Sequence, residues 1–206
     1  MNHTLFPMNI LQANKFFYLR GGAETVFFET IKGLRANGHH VVEFAMHHER
    51  NLPSTYVDYF ASNVPELLGP HSPWIAWTTF VRLFSSSEIK RKLTHLIRQE
   101  NIDIAHLHNI YHHLSASTFL TLRKLKIPTA LTLHDVFPLC PNHSLLRGET
   151  LDDAAYKGKT YNCIRYKCIN NKLLPSIAGT LEAYFYKWKH IWDRITLFVC
   201  PSQFMA

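Results

Sequence analysis

The residues IPTALTLHDVFPLCP, at 127–141, combine a strand pattern with a polar pair at its end. Residues 129–133 combine β-branched and apolar side chains without a charge, which is the pattern of a short strand buried on both faces in a parallel sheet. This predicted strand ends at His134 and Asp135, and two prolines then keep the chain from resuming regular structure. Ligands of open α/β sheets bind at the carboxyl ends of the strands, so the pair is a candidate for a site. The alternative is a satisfied histidine beside a turn-capping aspartate.

Strand and helix patterns alternate along the rest of the chain. Further strands are predicted at residues 9–14, 41–46, 103–108 and 195–200, the last of them buried, with one short strand near residues 56–60. Helices are predicted at residues 23–37, at 87–99 with Ser87 as cap, at 115–126 with Ser115 as cap, and at 175–192. Gly38 is the expected residue just beyond the first helix. This alternation predicts an α/β fold, a Rossmann-like doubly wound parallel sheet.

A glycine pair, Gly21-Gly22, follows the first predicted strand and precedes the first helix. Glycine lets the backbone approach a ligand closely, and a helix start presents unpaired N–H groups with a partial positive charge, so the position favours phosphate. The pair belongs neither to G-x-G-x-x-G nor to a Walker motif, so the dinucleotide and P-loop interpretations lack their signatures. A glycine required only for a positive φ is the alternative.

A second set of polar residues ends the strand predicted at residues 103–108. His106 and His108 are two positions apart and therefore face the same side of that strand. Asn109 follows at its end, so we expect these side chains near His134.

Composition restricts the partners and the compartment. The formal net charge of the 206 residues is +7, with 14 histidines counted as neutral, which suits an anionic partner. No basic block with interleaved aromatic residues occurs, so nucleic acid is disfavoured. The cysteines are few for a disulfide scaffold, and the first residues lack the apolar region of a secretory signal, so we expect a reducing cytosol. No apolar run is long enough to span a bilayer.

An aromatic stripe with helical spacing lies at Trp74, Trp77, Val81 and Phe84. Such a stripe usually belongs to the core. The basic residues Lys90, Arg91 and Lys92 nearby allow a second interpretation, in which this surface contacts lipid.

Histidine and cysteine residues near the predicted ligand edge raise a metal hypothesis. The residues concerned are His106, His108, His112, His113, His134, Cys140 and His143. A structural zinc would use Cys140, His143, Cys163 and Cys168, although C-x4-C is not the usual zinc-ribbon spacing and reduced thiols are the simpler alternative. A hydrolase built on Cys140 and His134 lacks a recognisable oxyanion loop.

Several segments in one order resemble the amino-terminal domain of the family 4 retaining glycosyltransferases, which have the GT-B fold. They are KFFYLRGGAE at 15–24, GLRANGHHV at 33–41, DIAHLHN at 103–109, TLHDVFPLCPN at 132–142 and VCPSQFMA at 199–206. The resemblance implies one half of a two-domain enzyme, with residues 1–200 as the acceptor-side domain and residues 201–206 as the start of a carboxy-terminal donor domain. It also implies a nucleotide-sugar co-substrate and no further cofactor or metal.

The resemblance assigns roles to individual residues. Gly21 and Gly22 match the glycine loop whose amides approach the donor diphosphate, and His134 matches the catalytic histidine beside the transferred sugar. His108, Asn109 and Asp135 would belong to the acceptor or sugar pocket, where Asp135 would orient the loop or the histidine.

The same resemblance limits what this chain is expected to do alone. The paired-glutamate E-x7-E motif of the donor domain does not occur in these residues, so we expect them to be inactive without a carboxy-terminal domain. The acceptor implied is a glycan or a lipid-linked sugar of polysaccharide biosynthesis, in the cytoplasm or at the inner face of the membrane. A non-catalytic glycan-binding module or a truncated fragment is the alternative function.

Overall fold

The computed structural model of the chain describes residues 6–64, 72–147, 150–151 and 159–203. Residues 201–206 were predicted to begin a carboxy-terminal domain, and the last three of them, 204–206, lie outside the described residues. The strands are β1 (Asn9–Ala13), β2 (His40–Phe44), β3 (Ile104–Leu107), β4 (Thr129–Thr132), β5 (Leu146–Arg147), β6 (Thr150–Leu151) and β7 (Leu197–Val199). Parallel pairing joins the main sheet in the order β2-β1-β3-β4-β7, which confirms the predicted parallel α/β sheet. Strands β5 and β6 form a separate antiparallel pair.

Helices connect most of the strands. They are α1 (Gly22–Ala36), α2 (Pro73–Phe84), α3 (Ser87–Gln99), α4 (Ser115–Lys124), α5 (Asn162–Arg165) and α6 (Leu173–Trp188). As predicted, Gly38 ends the first helix with a φ of 82°, a conformation that glycine adopts without steric cost.

The predicted helix caps need correction. Ser86, one residue earlier than predicted, has an extended backbone and accepts a hydrogen bond from the Ile89 amide at 3.3 Å, so it caps α3 in place of Ser87. Ser115 is the first residue of α4 and not its cap, and its hydroxyl accepts a hydrogen bond from the Ser117 amide at 3.1 Å.

Two predicted elements have different extents or types. The strand expected near residues 56–60 is a single 3₁₀ turn, Val57–Tyr59. The last helix ends at Trp188 and not at residue 192, because His190 takes a φ of 51° and the Ile191 amide then bonds back to the Tyr186 carbonyl at 3.1 Å.

One face of the main sheet forms the larger part of the core. Leu11, Leu107 and Leu131 point from the strands toward α3 and α4, where they join Leu93 and Phe119. Fully burying a leucine stabilises the fold by about 1.5–3 kcal/mol, so this layer supplies much of the hydrophobic driving force.

The opposite face packs against α1. Phe27 and Ile31 of this helix join Val41 and Ala45 at the β2 side of the sheet. Because side chains alternate along a strand, the same face also receives the polar residues of β1 and β3, and the Phe27 ring lies 5.3 Å from the His108 ring. Packing thus places one helix beside a set of polar strand residues.

The strand order places a crevice between β1 and β3. The chain leaves β1 toward β2 on one side and later returns to β3 on the other side. Ligands of doubly wound sheets bind outside the carboxyl ends of the strands at such a reversal. The motifs at residues 15–24 and 103–109 follow the two strands that meet there.

The last strand is exposed and not buried as predicted. β7 is the edge of the sheet and pairs on one side with β4. Leu197 keeps 59 % of its surface exposed, and Phe198 and Val199 are exposed as well. An apolar run therefore does not distinguish an edge strand from a central one. Within the described residues, none of the helices has the length and apolar composition that a membrane crossing requires.

Candidate functional site

Backbone hydrogen bonds continue between β1 and β3 beyond the ends of both strands. The His108 amide donates to the Ala13 carbonyl at 2.9 Å, and the Lys15 amide donates to the Asn109 carbonyl at 3.2 Å. The Asn109 amide also donates to Oδ1 of Asn14 at 3.2 Å. These bonds fix Asn109 and His108 against the carboxyl end of β1.

A buried acid connects this strand end with the first helix. Asn14 donates through Nδ2 to the Phe16 carbonyl at 2.9 Å and to Oε1 of Glu24 at 3.3 Å. The helical pattern placed Glu24 off the buried stripe of α1, but the structure buries it. Its burial follows from the hydrogen bond to Asn14, which compensates for the loss of water at the carboxylate.

A hydrogen-bonded set of three histidines occupies the crevice, and Gln12 orders it. Gln12 donates through Nε2 to Nδ1 of His106 at 3.2 Å, and its Oε1 accepts from Nε2 of His108 at 3.1 Å. His106 then uses Nε2 to donate to the Thr132 hydroxyl at 2.7 Å. Nδ1 of His108 is left as an acceptor, and Nε2 of His134 donates to it at 3.1 Å.

This chain of bonds assigns the proton of each ring. An amide nitrogen only donates and an amide oxygen only accepts, so Gln12 selects the Nε2–H tautomer of His106 and of His108. The acceptor on His108 then selects the Nε2–H tautomer of His134. Nδ1 of His134 is left with its lone pair, which makes it an acceptor for a ligand hydroxyl.

Burial keeps these rings neutral. It lowers the pKa of His106 to about 4 and the pKa of His108 to about 2, with further lowering by the neighbouring histidines. Burial also lowers the pKa of His134, although the charges of Asp135 and Glu24 oppose that shift. A neutral His134 can accept a hydrogen bond at Nδ1, which a protonated ring cannot do.

The glycine pair lies at the start of α1, and the backbone dihedral angles there do not require glycine. Gly21 has a φ of −168°, which any residue adopts, and Gly22 does not have a positive φ. A Cβ added to Gly21 would lie 3.8 Å from Oε2 of Glu24, and one added to Gly22 would meet none of the described residues within 4 Å. The alternative that these glycines serve only a positive φ is therefore wrong.

Asp135 orients the loop after β4 and not His134. Its Oδ1 accepts from the Phe137 amide at 2.9 Å, and its Oδ2 accepts from Nδ1 of His143 at 2.9 Å. Burial alone would raise the pKa of Asp135, but the hydrogen bonds and charge of His143 together with the Phe137 amide hold it below its usual value. These bonds hold the loop after β4, and the predicted part of Asp135 in the acceptor or sugar pocket stays a prediction.

The network continues from His143 across the site. Nε2 of His143 lies 2.8 Å from Nε2 of His112, and Nδ1 of His112 bonds to the buried carboxylate of Glu182 in α6. His112 and His143 have φ values of 63° and 65°, a region that costs non-glycine residues energy and that clusters at functional sites. The chain of four side chains thus connects the strand end at Asp135 with α6.

A groove of about 660 Å³ opens beside this network. The segment after β1 contributes aromatic and cationic residues to its lining, the loop after β2 adds Arg50, and α2 and α6 contribute further residues. His112 and Glu182 lie on its surface. This volume suits a sugar-sized ligand.

The metal hypothesis gains no support from the described residues. They contain no group of three or more His, Cys, Asp or Glu side chains arranged to hold a metal ion. Cys140 and Cys163 are buried together with Cys168 packed against them, and burial followed by the proximity of Cys168 raises the pKa of Cys163 to about 12. His143, expected in the same knot, bonds to Asp135 and His112.

The structure therefore brings together some of the predicted site residues directly and others through intermediaries. His108 and His134 are in contact, and Asn109 reaches the glycine turn through Asn14 and Glu24. Asp135 belongs to the second network. Their assigned roles in catalysis and binding stay predictions.

Several residues of the site were not predicted. Gln12 and Asn14 are polar positions with a period of two in an otherwise apolar strand, which is a signal that such residues are held by partners. Glu182 lies in an amphipathic helix and gives no comparable signal, because its partner His112 is 70 positions away.

A parallel α/β sheet with a polar site at the reversal between its first and third strands defines a Rossmann-like domain of the kind found in one half of a GT-B enzyme. The family model described as Glycosyltransferase Family 4 matches residues 20–206. The chain belongs to this family, as the sequence motifs predicted, and its function is of the glycosyltransferase type. No curated protein matches the chain.

Proposed function

We propose that the domain takes part in retaining sugar transfer from a nucleotide-sugar donor to a glycan or lipid-linked acceptor, together with a donor-binding domain. The observation that carries the proposal is the 3.1 Å hydrogen bond between Nε2 of His134 and Nδ1 of His108 beside the strand reversal, from which the Nε2–H tautomer of His134 is inferred. Membership of family 4 supports glycosyl transfer in general.

The start of α1 is the proposed contact for the donor diphosphate. The N-cap residue, Gly21, has no side chain to cap the helix, so the first amides of α1 keep their hydrogen-bonding capacity. Amides and the helix dipole aimed at the diphosphate would stabilise the negative charge that grows on the leaving group as the glycosidic bond breaks. Gly21 and Gly22 let the phosphates approach the backbone closely.

His134 is the proposed catalytic residue. With its Nε2–H donated to His108, it offers Nδ1 to a hydroxyl of the transferred sugar. A neutral ring in this role orients the sugar and stabilises its oxocarbenium-like geometry without acting as the base. We assign the acceptor proton to the departing phosphate. His108 and Asn109 would shape the pocket around these atoms, and Asp135 would hold the loop that borders it.

We propose that residues 1–206 do not transfer sugar by themselves. The proposed phosphate contacts come from the first turn of α1, on one side of the donor. A family 4 carboxy-terminal domain would grip the nucleotide from the other side. Losing bound orientation alone forfeits about 7–11 kcal/mol of barrier reduction, which the histidine site cannot replace.

The test compares transfer with and without such a domain. The purified chain, alone and joined to a family 4 carboxy-terminal domain bearing the paired glutamates, is incubated with a panel of nucleotide sugars and glycan or lipid-linked acceptors. We expect acceptor-dependent release of nucleoside diphosphate from the joined protein only.

Two variants make the assay specific. His134→Ala should lower turnover about 100-fold, as expected when a positioned polar group is lost from the transition state, while His190→Ala at the exposed end of α6 should not. Clear transfer by the isolated 206 residues would refute the half-enzyme proposal, and full activity of His134→Ala would refute the role of that ring.

We also propose peripheral contact with the inner face of the membrane in polysaccharide biosynthesis. Trp74, Trp77 and Val81 are exposed on α2, which supports the lipid-contact interpretation of this stripe over the core interpretation. Phe84, expected on the same surface, packs 5.3 Å from Phe185 instead.

The aromatic surface continues from α2 onto α6, through the contact between Phe84 and Phe185. Trp188 of α6 is exposed, packs 5.9 Å from Phe185, and has the Lys189 ammonium 3.7 Å from its ring centre. Of the basic residues predicted nearby, Lys92 is paired with Glu88 at 3.4 Å, while Lys90 and Arg91 are exposed.

Vesicle co-sedimentation tests the membrane contact. We expect binding that rises with the fraction of anionic lipid and falls several-fold in Trp77→Ser, with Leu52→Ser as an exposed control away from the helices. Binding that ignores lipid charge, or that falls equally in the control, would contradict this contact.

A further inference from the structure

The cationic lining of the groove has a feature that the proposed reaction does not use. Phe16 and Tyr18 lie side by side with their ring centres 5.3 Å apart. The guanidinium of Arg20 lies 4.7 Å from the centre of the Phe16 ring, and the Lys15 ammonium lies 5.4 Å from the same ring. The guanidinium of Arg50 lies 4.5 Å from the centre of the Tyr18 ring. Two adjacent rings therefore carry three cations.

Each of these cations lies over a ring and lacks a paired acid among the residues that the structure describes. Nη2 of Arg50 also hydrogen-bonds the Tyr18 hydroxyl at 3.2 Å, which fixes the direction of its guanidinium. Within the described residues, no carboxylate lies within ion-pair distance of Lys15, Arg20 or Arg50. Holding three positive side chains close together costs free energy because they repel each other, and a bound anion would offset this repulsion.

Three acids lie near these cations: the charges of Glu24 and Asp135 act on Lys15, and Glu182 lines the groove. Each has a hydrogen-bond partner, although Oε1 of Glu182 has none among the described residues. Glu24 accepts from Asn14, Asp135 accepts from His143, and Glu182 bonds to His112. The charges of Asp135 and Glu24 favour the ammonium form of Lys15, but burial outweighs them and lowers its pKa. The nearby His113 stays neutral, because burial followed by the charge of Lys15 lowers its pKa to about 3. The lining is therefore positive through its three cations and not through its histidines.

We propose that Lys15, Arg20 and Arg50 form a subsite for a phosphate or diphosphate group of the acceptor. The inference rests on the proposed function, since it supplies the chemical class of the acceptor. A diphosphate matches the positive charge of three cations better than a single carboxylate does. Arg50 follows β2, and His112 and His113 also line this groove, so the subsite would bind the acceptor's anionic end and leave its sugar in the same groove.

Calorimetric titration of the 206-residue chain at low salt tests the subsite, with inorganic pyrophosphate as the probe. We expect pyrophosphate to bind at least tenfold more tightly than glucuronate, which carries one carboxylate. Arg20→Gln and Arg50→Gln should each weaken pyrophosphate binding about tenfold, because each removes one charge-assisted contact. Both side chains lack ion pairs in the described residues, so the variants should keep the fold, and circular dichroism checks this.

A matched control separates the subsite from the general positive charge of the chain. Arg98→Gln changes an exposed arginine at the end of α3 and should leave pyrophosphate binding unchanged. Absence of binding by the wild type, or an equal loss in the Arg98 variant, would overturn the proposal.

Two further ligands identify the source of the phosphate. Farnesyl diphosphate binding more tightly than pyrophosphate would assign the subsite to a lipid-linked diphosphate, and equal affinity would assign it to a soluble phosphate ester. Uridine diphosphate that binds as tightly as pyrophosphate and is lost in the same two variants would place the cations on the donor, which overturns the acceptor assignment. None of these titrations needs sugar transfer, so their outcome is independent of the transfer assay.

Discussion

Replacing Gln12 by leucine tests whether one amide orders the histidine site. Gln12 is fully buried and makes one hydrogen bond to His106 and one to His108. In Gln12→Leu, the acceptor Nδ1 of His106 and the donor Nε2–H of His108 lose their partners. A buried polar group without a partner costs about 1–3 kcal/mol, so two such groups cost roughly 2–6 kcal/mol. Leucine fills most of the volume, so we expect a loss of about 3 kcal/mol in the free energy of unfolding.

The measurement combines urea denaturation near neutral pH with nitrogen-15 NMR of the imidazole rings. The wild type should have its ring protons on Nε2 of His106, His108 and His134. In Gln12→Leu the Nε2 preference of His108 should weaken, because its acceptor is gone, and His134 should change with it. Gln99→Leu on an exposed position at the end of α3 is the control and should change stability by less than about 1 kcal/mol.

Two results would refute this reasoning. Equal stability losses in the Gln12 and Gln99 variants would mean that the buried amide contributes little. Unchanged tautomers of His108 and His134 in Gln12→Leu would mean that another group assigns the protons, and the proposed acceptor at Nδ1 of His134 would lose its physical basis.

Two other predictions concern pH and α6. The folded pKa values of His106, about 4, and His113, about 3, lie below the ordinary value of about 6.5, so the unfolded chain binds more protons as the pH falls. The free energy of unfolding, measured by urea titration, should therefore decrease as the pH is lowered from about 6.5 to about 4. The expected decrease is about 1.4 kcal/mol per pH unit for each neutral buried histidine. A free energy of unfolding that does not change with pH would contradict the burial of these rings. Glu182→Gln removes the charge from the bond to His112 and should lower the free energy of unfolding by about 1–2 kcal/mol, whereas an unchanged urea midpoint would show that this bond contributes nothing.

Local patterns predicted the sheet because they depend on neighbouring residues. The uncharged stretch at residues 129–133 became β4, a strand buried along its whole length, and the parallel order followed from alternating strands and helices. The same reasoning failed at β7, since an apolar sequence is compatible with an edge strand as well as a central one. It also misjudged Glu24, whose burial depends on a partner in another element.

The candidate site divides in the same way. The sequence alone predicted that His108, Asn109 and His134 lie at strand ends, because a strand that ends in polar residues carries them at its carboxyl edge, and that the glycine pair precedes the first helix. Which of these groups bond to each other follows from the packing of distant elements and not from the sequence pattern. Gln12 and His108 are 96 positions apart, and Asp135 bonds to His143 and not to its neighbour His134. Hydrogen bonds select partners by distance and direction in space, and the periodicity of a sequence carries no information about contacts between distant elements.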